Sequence, residues 1–158
     1  MNQTLRHALG MLLVLGAAAR ADAQSDRPAV PLYDNLGTHH YAISTRVPLA
    51  QRYFDQGLRL YYAFNHAEAI RAFTEAARLD PRCAMCHWGV ALSYGPNINL
   101  PMDSASGVAA YAALQRARAA ADHATPRERA LIDALARRYA PDAPAERAAL
   151  DSAYAAAM

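Results

Sequence analysis

Apolar and small residues recur at helical spacing along most of the chain beyond residue 47. From Pro48 to Phe64 the positions Leu49, Tyr53, Gln56–Gly57 and Leu60 lie three or four apart. That period predicts an amphipathic helix with Pro48 in its opening turn. Asn65–His66 reads as a tight turn, and Ala67 to Leu79 as a second helix with an inward stripe of Ala69, Phe73 and Ala76. Asp80-Pro81 reads as an N-cap followed by proline at the first helical position, opening a helix from about Arg82 to Tyr94. On it Cys83, His87, Val90 and Tyr94 share one face. Residues 95–103 (GPNINLPMD) form a long turn, and residues 104–123 a further helix. Thr125-Pro126-Arg127-Glu128 is a capping box with a proline inside it, starting a helix whose Leu131, Leu135 and Tyr139 face inward. Residues 141–144 are a break, and residues 145–157 a final amphipathic helix.

Counted from Ala50, Gly57, Ala69, Phe73, Ala76 and Pro81 fall at positions 8, 20, 24, 27 and 32 of a repeat. Those are the small, aromatic and proline positions of the 34-residue tetratricopeptide (TPR) repeat, in which small residues let two helices approach closely. Ala91 and Tyr94 take positions 8 and 11 of the next repeat. Its second helix aligns only if Ala110, Leu114 and Ala117 follow an insertion of seven residues. The expected fold is all-α: about three helix pairs over residues 48–158, stacked as a short right-handed α-solenoid of TPR repeats. Insertions in such arrays project as loops, often on the binding face. The last helix lacks the polar outer face that ends a repeat array. A fragment of a longer protein, or an end covered by another protein, is therefore expected.

Composition changes the picture in two places. Hydrophobic residues make up 54% of the chain, much of it alanine, which favours close helix packing; the net charge of +2 excludes a nucleic-acid field. All 16 basic residues are arginine. Residues 1–23 read as a signal peptide: a weakly basic start at Arg6 and His7, an apolar run from Ala8 to Ala19, and a small-x-small site for cleavage after Ala23. Export to the periplasm follows, with no membrane attachment after cleavage. The cysteines then sit in an oxidising compartment. Residues 24–47 are expected to be an irregular leader.

Three stretches, YDNLGTHHYAIST, FDQGLRLYYAFNHAEAIRAF and LDPRCAMCHWGVALSYGPNINLPMD, together resemble a family of exported bacterial TPR proteins. The resemblance covers residues 33–158. It implies the fold, export and further repeats of the same kind, and little chemistry.

Cys83-Ala84-Met85-Cys86-His87 carries the most chemistry. CxxCH is the attachment motif of c-type haem: two thiols one turn apart bond the vinyl groups and the histidine ligates iron. Met102 and His66 are then candidate sixth ligands. The same residues also read as a Cys83–Cys86 disulfide beside a core histidine, as a redox-active CxxC, or as part of a metal site with His39, His40 or His66. Trp88 is expected to face a concave groove and, with Tyr61, to anchor a protein or peptide partner. A periplasmic interaction scaffold is the first functional expectation; a haem-binding electron carrier or sensor is the alternative. No nucleophile–base pair, carboxylate dyad or phosphate loop points to an enzyme.

Overall fold

A computed structural model describes residues 30–142 and 144–158. The expected signal peptide and residues 24–29 lie outside them. Six α-helices follow in order: α1 (Pro48–Tyr62), α2 (His66–Leu79), α3 (Ala84–Tyr94), α4 (Ser104–Ala119), α5 (Pro126–Ala136) and α6 (Ala148–Ala157). A 3₁₀ turn, Ala121–His123, separates α4 from α5. The described residues are all-helical, with no strand beyond one isolated bridge between Asn97 and Leu100.

Local chemistry explains most boundaries. Pro48 sits in the first turn of α1, as expected. α1 ends at Tyr62 and not at Phe64, because Phe64 adopts a left-handed backbone (φ 60°) that reverses the chain. Asn65 then caps α2 by accepting from the Glu68 N–H. Thr125 and Glu128 form the expected reciprocal capping box around Pro126. The Asp80-Pro81 expectation needs correction. Asp80 closes α2, Pro81 and Arg82 form an exposed turn, and the next helix starts at Ala84 with Cys83 as its cap. The Asp80 carboxylate is committed elsewhere, to Arg82 N–H (3.2 Å) and the Thr45 hydroxyl (2.6 Å). α6 likewise starts at Ala148, three residues later than its pattern suggested.

Turns of three and four residues join α1 to α2 and α2 to α3, so these neighbours run antiparallel. α1 and α3 are therefore parallel, and they also touch each other. At the centre of this arrangement lies Phe73, fully buried on α2. A Cβ added at Gly57 on α1 would fall 2.6 Å from its ring, and one at Gly89 on α3 would clash with the same ring. Two glycines, one on each helix that flanks α2, thus press on one aromatic ring. Phe54 meets the ring edge-on at 5.3 Å between centroids. Ala69, Ala76, Ala91, Ala110, Leu114 and Ala117 are buried as the repeat spacing predicts, while Tyr94 is half-buried against the core. Leu49 is exposed, and Ile132 takes the inward place expected of Leu131, which is half-buried.

Residues 30–47 are irregular but firmly bound. They form a strap that runs along α1 and returns, bending through Gly37 at a positive φ of 79°. The strap then enters α1 through its N-cap, Val47.

Candidate functional site

The helix directions define two ends of the molecule. At one end lie the start of α1, the α2–α3 turn and the start of α5, bridged by the strap. Ser44 donates its backbone N–H (2.7 Å) and its hydroxyl (2.6 Å) to the Glu128 carboxylate, which also accepts the Thr125 N–H (2.6 Å). Burial alone would raise the Glu128 pKa, but these donors outweigh it and hold the carboxyl below its ordinary value. Thr45 ties the strap to Asp80. Beside them a shallow cleft of about 390 Å³ is lined by His40, Tyr41, Ile43, Ser44, Thr125, Arg127 and Glu128. The Arg127 guanidinium lies 5.4 Å from the Tyr41 ring centroid.

The CxxCH motif belongs to this end. Cys83 has extended backbone and caps α3, its sulfur accepting the Cys86 N–H at 3.1 Å. The two cysteines are joined as a disulfide, and both are fully buried. His87 Nε2 lies 3.0 Å from the Pro81 carbonyl and so carries the proton it donates. Burial, opposed by that hydrogen bond, holds the His87 pKa below its usual value, which favours the neutral ring. A c-type haem needs both sulfurs for thioethers and an accessible histidine face. Sulfurs bonded to each other inside the helix core do not fit that group. They also offer no exposed atom to a redox partner.

The proposed sixth ligands are misplaced for a second reason. His66 opens α2, whereas His87 follows its far end; 14 residues of helix separate them by about 20 Å. Met102 lies beyond the last residue of α3, again away from His87, and packs half-buried on the core. The His39–His40 pair also divides. His40 Nδ1 meets Asp55 Oδ2 at 2.7 Å, while the His39 ring lies edge-on to Tyr62 at 6.0 Å. Among the described residues no three His, Cys, Asp or Glu side chains converge as a metal site.

Trp88 is no groove anchor. It is buried, with its indole N–H donated to the Leu131 carbonyl at 3.2 Å, because α5 packs over that face of α3. Tyr61 is half-buried in an aromatic group with Tyr62 (5.5 Å) and His66 (5.1 Å), and burial raises its pKa.

The opposite end gathers the C-termini of α1, α3 and α5. There the end of α1, the α1–α2 turn and the α3–α4 loop carry Tyr62 (66% exposed), Phe64 (59%), Ile98 (91%) and Leu100 (66%). Residues 60–67 and 95–102 contain no formal charge. Both ring nitrogens of His66 are shielded there without a hydrogen-bond partner, and burial lowers its pKa. Behind this rim Arg138 donates to the Pro96 carbonyl (2.9 Å) and stacks 4.8 Å from the Tyr154 ring centroid.

Sequence reading missed the polar face of α1. Gln51, Asp55, Gln56 and Arg59 all bind the strap, and Asp55 and Gln56 are buried. The available signal was the position of Asp55 and Gln56 immediately before Gly57, on the half of the helix that must face protein. No protein-family model, no curated protein and no solved structure matches this chain.

Proposed function

We propose that the protein is a scaffold of helical-hairpin repeats of the tetratricopeptide type, exported to the periplasm, which binds a protein partner through the uncharged rim at its C-terminal helix ends. The observation that carries this reading is the exposure of Tyr62, Phe64, Ile98 and Leu100 at one end of the helix array, on two segments that Arg138 bridges through Tyr61 and the Pro96 carbonyl. Large exposed apolar groups concentrated in one place mark interaction surfaces. Phe64 adds a second sign. A bulky residue held at φ 60° costs roughly 1–2 kcal/mol, and here that cost exposes the ring to water. In this reading the half-buried Tyr61 forms the floor of the rim. The buried disulfide suits an oxidising compartment and so supports export.

Site-specific photocross-linking tests the reading. A photoreactive phenylalanine placed at Tyr62 or Ile98 in the exporting host should give a discrete adduct with one protein. The same probe at Asp133, exposed on α5, should give none. Equal patterns from all three positions would remove the rim as a partner surface.

A further inference from the structure

Much of the strap is held through its main chain. Gln56 accepts the Tyr33 N–H (2.8 Å) and donates to the Pro31 carbonyl (2.9 Å). Gln51 accepts the Ile43 N–H (3.0 Å) and donates to the Tyr41 carbonyl (3.0 Å). Each carboxamide therefore spans the carbonyl of one residue and the N–H of the residue two further on, the pairing that one edge of an extended chain offers. Asp55 extends the row by accepting the Tyr41 N–H (3.2 Å), and Arg59 donates to the His39 carbonyl (2.8 Å). Main-chain bonding of this kind supplies affinity, while pockets for alternate side chains supply selectivity. Here Tyr41 and Ile43, two apart, both pack against the core, and Ser44 reaches Glu128. Buried amide and carboxylate groups are costly unless their hydrogen bonds are complete, so α1 needs an extended segment on this face.

From this geometry we infer that Gln51, Asp55, Gln56 and Glu128 form a receptor for a folded-back segment whose returning arm carries an aromatic–x–aliphatic–Ser pattern, and that residues 31–44, bent at Gly37, occupy it as an internal competitor of a partner's segment. This inference rests on the scaffold reading above and names the class of partner segment. Only Thr45 to Val47 link the strap to α1, so it returns at high effective concentration, and a partner must outcompete it or act when it is released.

The probe is a fluorescein-labelled synthetic peptide of residues 30–46, titrated into the full chain and followed by anisotropy. Tyr33→Pro/His40→Ala/Ser44→Ala weakens the strap without touching the receptor: it removes the N–H held by Gln56, the Asp55 pairing and the hydroxyl on Glu128. The peptide should bind this variant at least tenfold more tightly than wild type. Adding Gln51→Ala and Gln56→Ala should abolish that gain. Equal binding to wild type and strap variant, or a gain that survives loss of both glutamines, overturns the inference. Far-ultraviolet circular dichroism checks folding, and if the triple variant unfolds, His40→Ala/Ser44→Ala takes its place with the same criteria. Rim cross-linking is read separately. If the peptide result fails while the Tyr62 and Ile98 adducts persist, only the strap inference falls; if the adducts vanish, the scaffold reading falls.

Discussion

The two ends of the helix array solve the same problem in opposite ways. At the end where α1, α3 and α5 begin, the polar groups named above are matched: Glu128 has three donors, Asp80 two, and Cys83 caps α3 within a buried disulfide. At the end where those helices finish, apolar rings stand in water, Phe64 is strained, and the His66 nitrogens have no partner. The sequence motif that promised chemistry, CxxCH, lies in the first, completed end. The lesson is that reactive residue types do not locate a site by themselves. Where the folded chain leaves its own requirements unmet is the better guide.

Perturbing each end in turn should give different signs. The largest effect should come from the ring that joins them. Phe73→Ala should cost about 3–5 kcal/mol, the range for truncating a buried aromatic, and should loosen both ends together in hydrogen exchange. Loosening confined to one end would show that the ends fold independently. Glu128→Ala should be next. It strands the Ser44 and Thr125 donors at about 1–3 kcal/mol for a buried unsatisfied group, read as a lower urea midpoint and faster exchange at Ser44, with rim cross-linking unchanged. Phe64→Gly should act with the opposite sign, raising stability by about 1 kcal/mol as the left-handed strain is relieved, while weakening the Tyr62 and Ile98 adducts. A loss of stability there would mean that Phe64 is structural.

The smallest effect is the pH response. His66 and His87 both have folded pKa values below the ordinary 6.5, because burial disfavours their charged forms. The unfolded chain therefore binds more protons below about pH 6.5. Stability is fully present above that value and declines as pH falls below it. Urea midpoints at pH 7.5 and 5.5 should show the decline, and His66→Phe should reduce it. The carboxyl of Glu128, with its lowered pKa, adds a further decline as pH falls below its usual value of 4.5. That second step, to which Glu75 and Asp103 also contribute through their own lowered pKa values, should shrink in Glu128→Gln.

Much of the helical skeleton was legible because its signals are local. Pro48, the Thr125–Glu128 box and the small-residue spacing of Gly57, Ala69 and Ala76 act within a turn or between adjacent helices. Gly89 was overlooked, although a glycine inside a helix costs about 1 kcal/mol relative to alanine and usually marks a close approach. Trp88 and the Asp80–Cys83 turn were misread for a different reason. Their fates depend on α5 and on Thr45, partners more than 30 residues away in sequence. The strap, whose partners on α1 lie only 8 to 25 residues away, went unread for another reason. Its main-chain bonds leave no residue pattern of their own, so residues 24–47 read only as an irregular leader, with no sign of what binds them.

The shared ring between Gly57 and Gly89 has a consequence for how the molecule can be divided. A boundary drawn through the α2–α3 turn would separate Phe73 from one of the two surfaces it fills, so neither half would keep a finished core. The smallest piece able to melt as a unit is then the helix triplet and not the hairpin, and inserting residues at Pro81 and Arg82 should lower cooperativity before it lowers helix content.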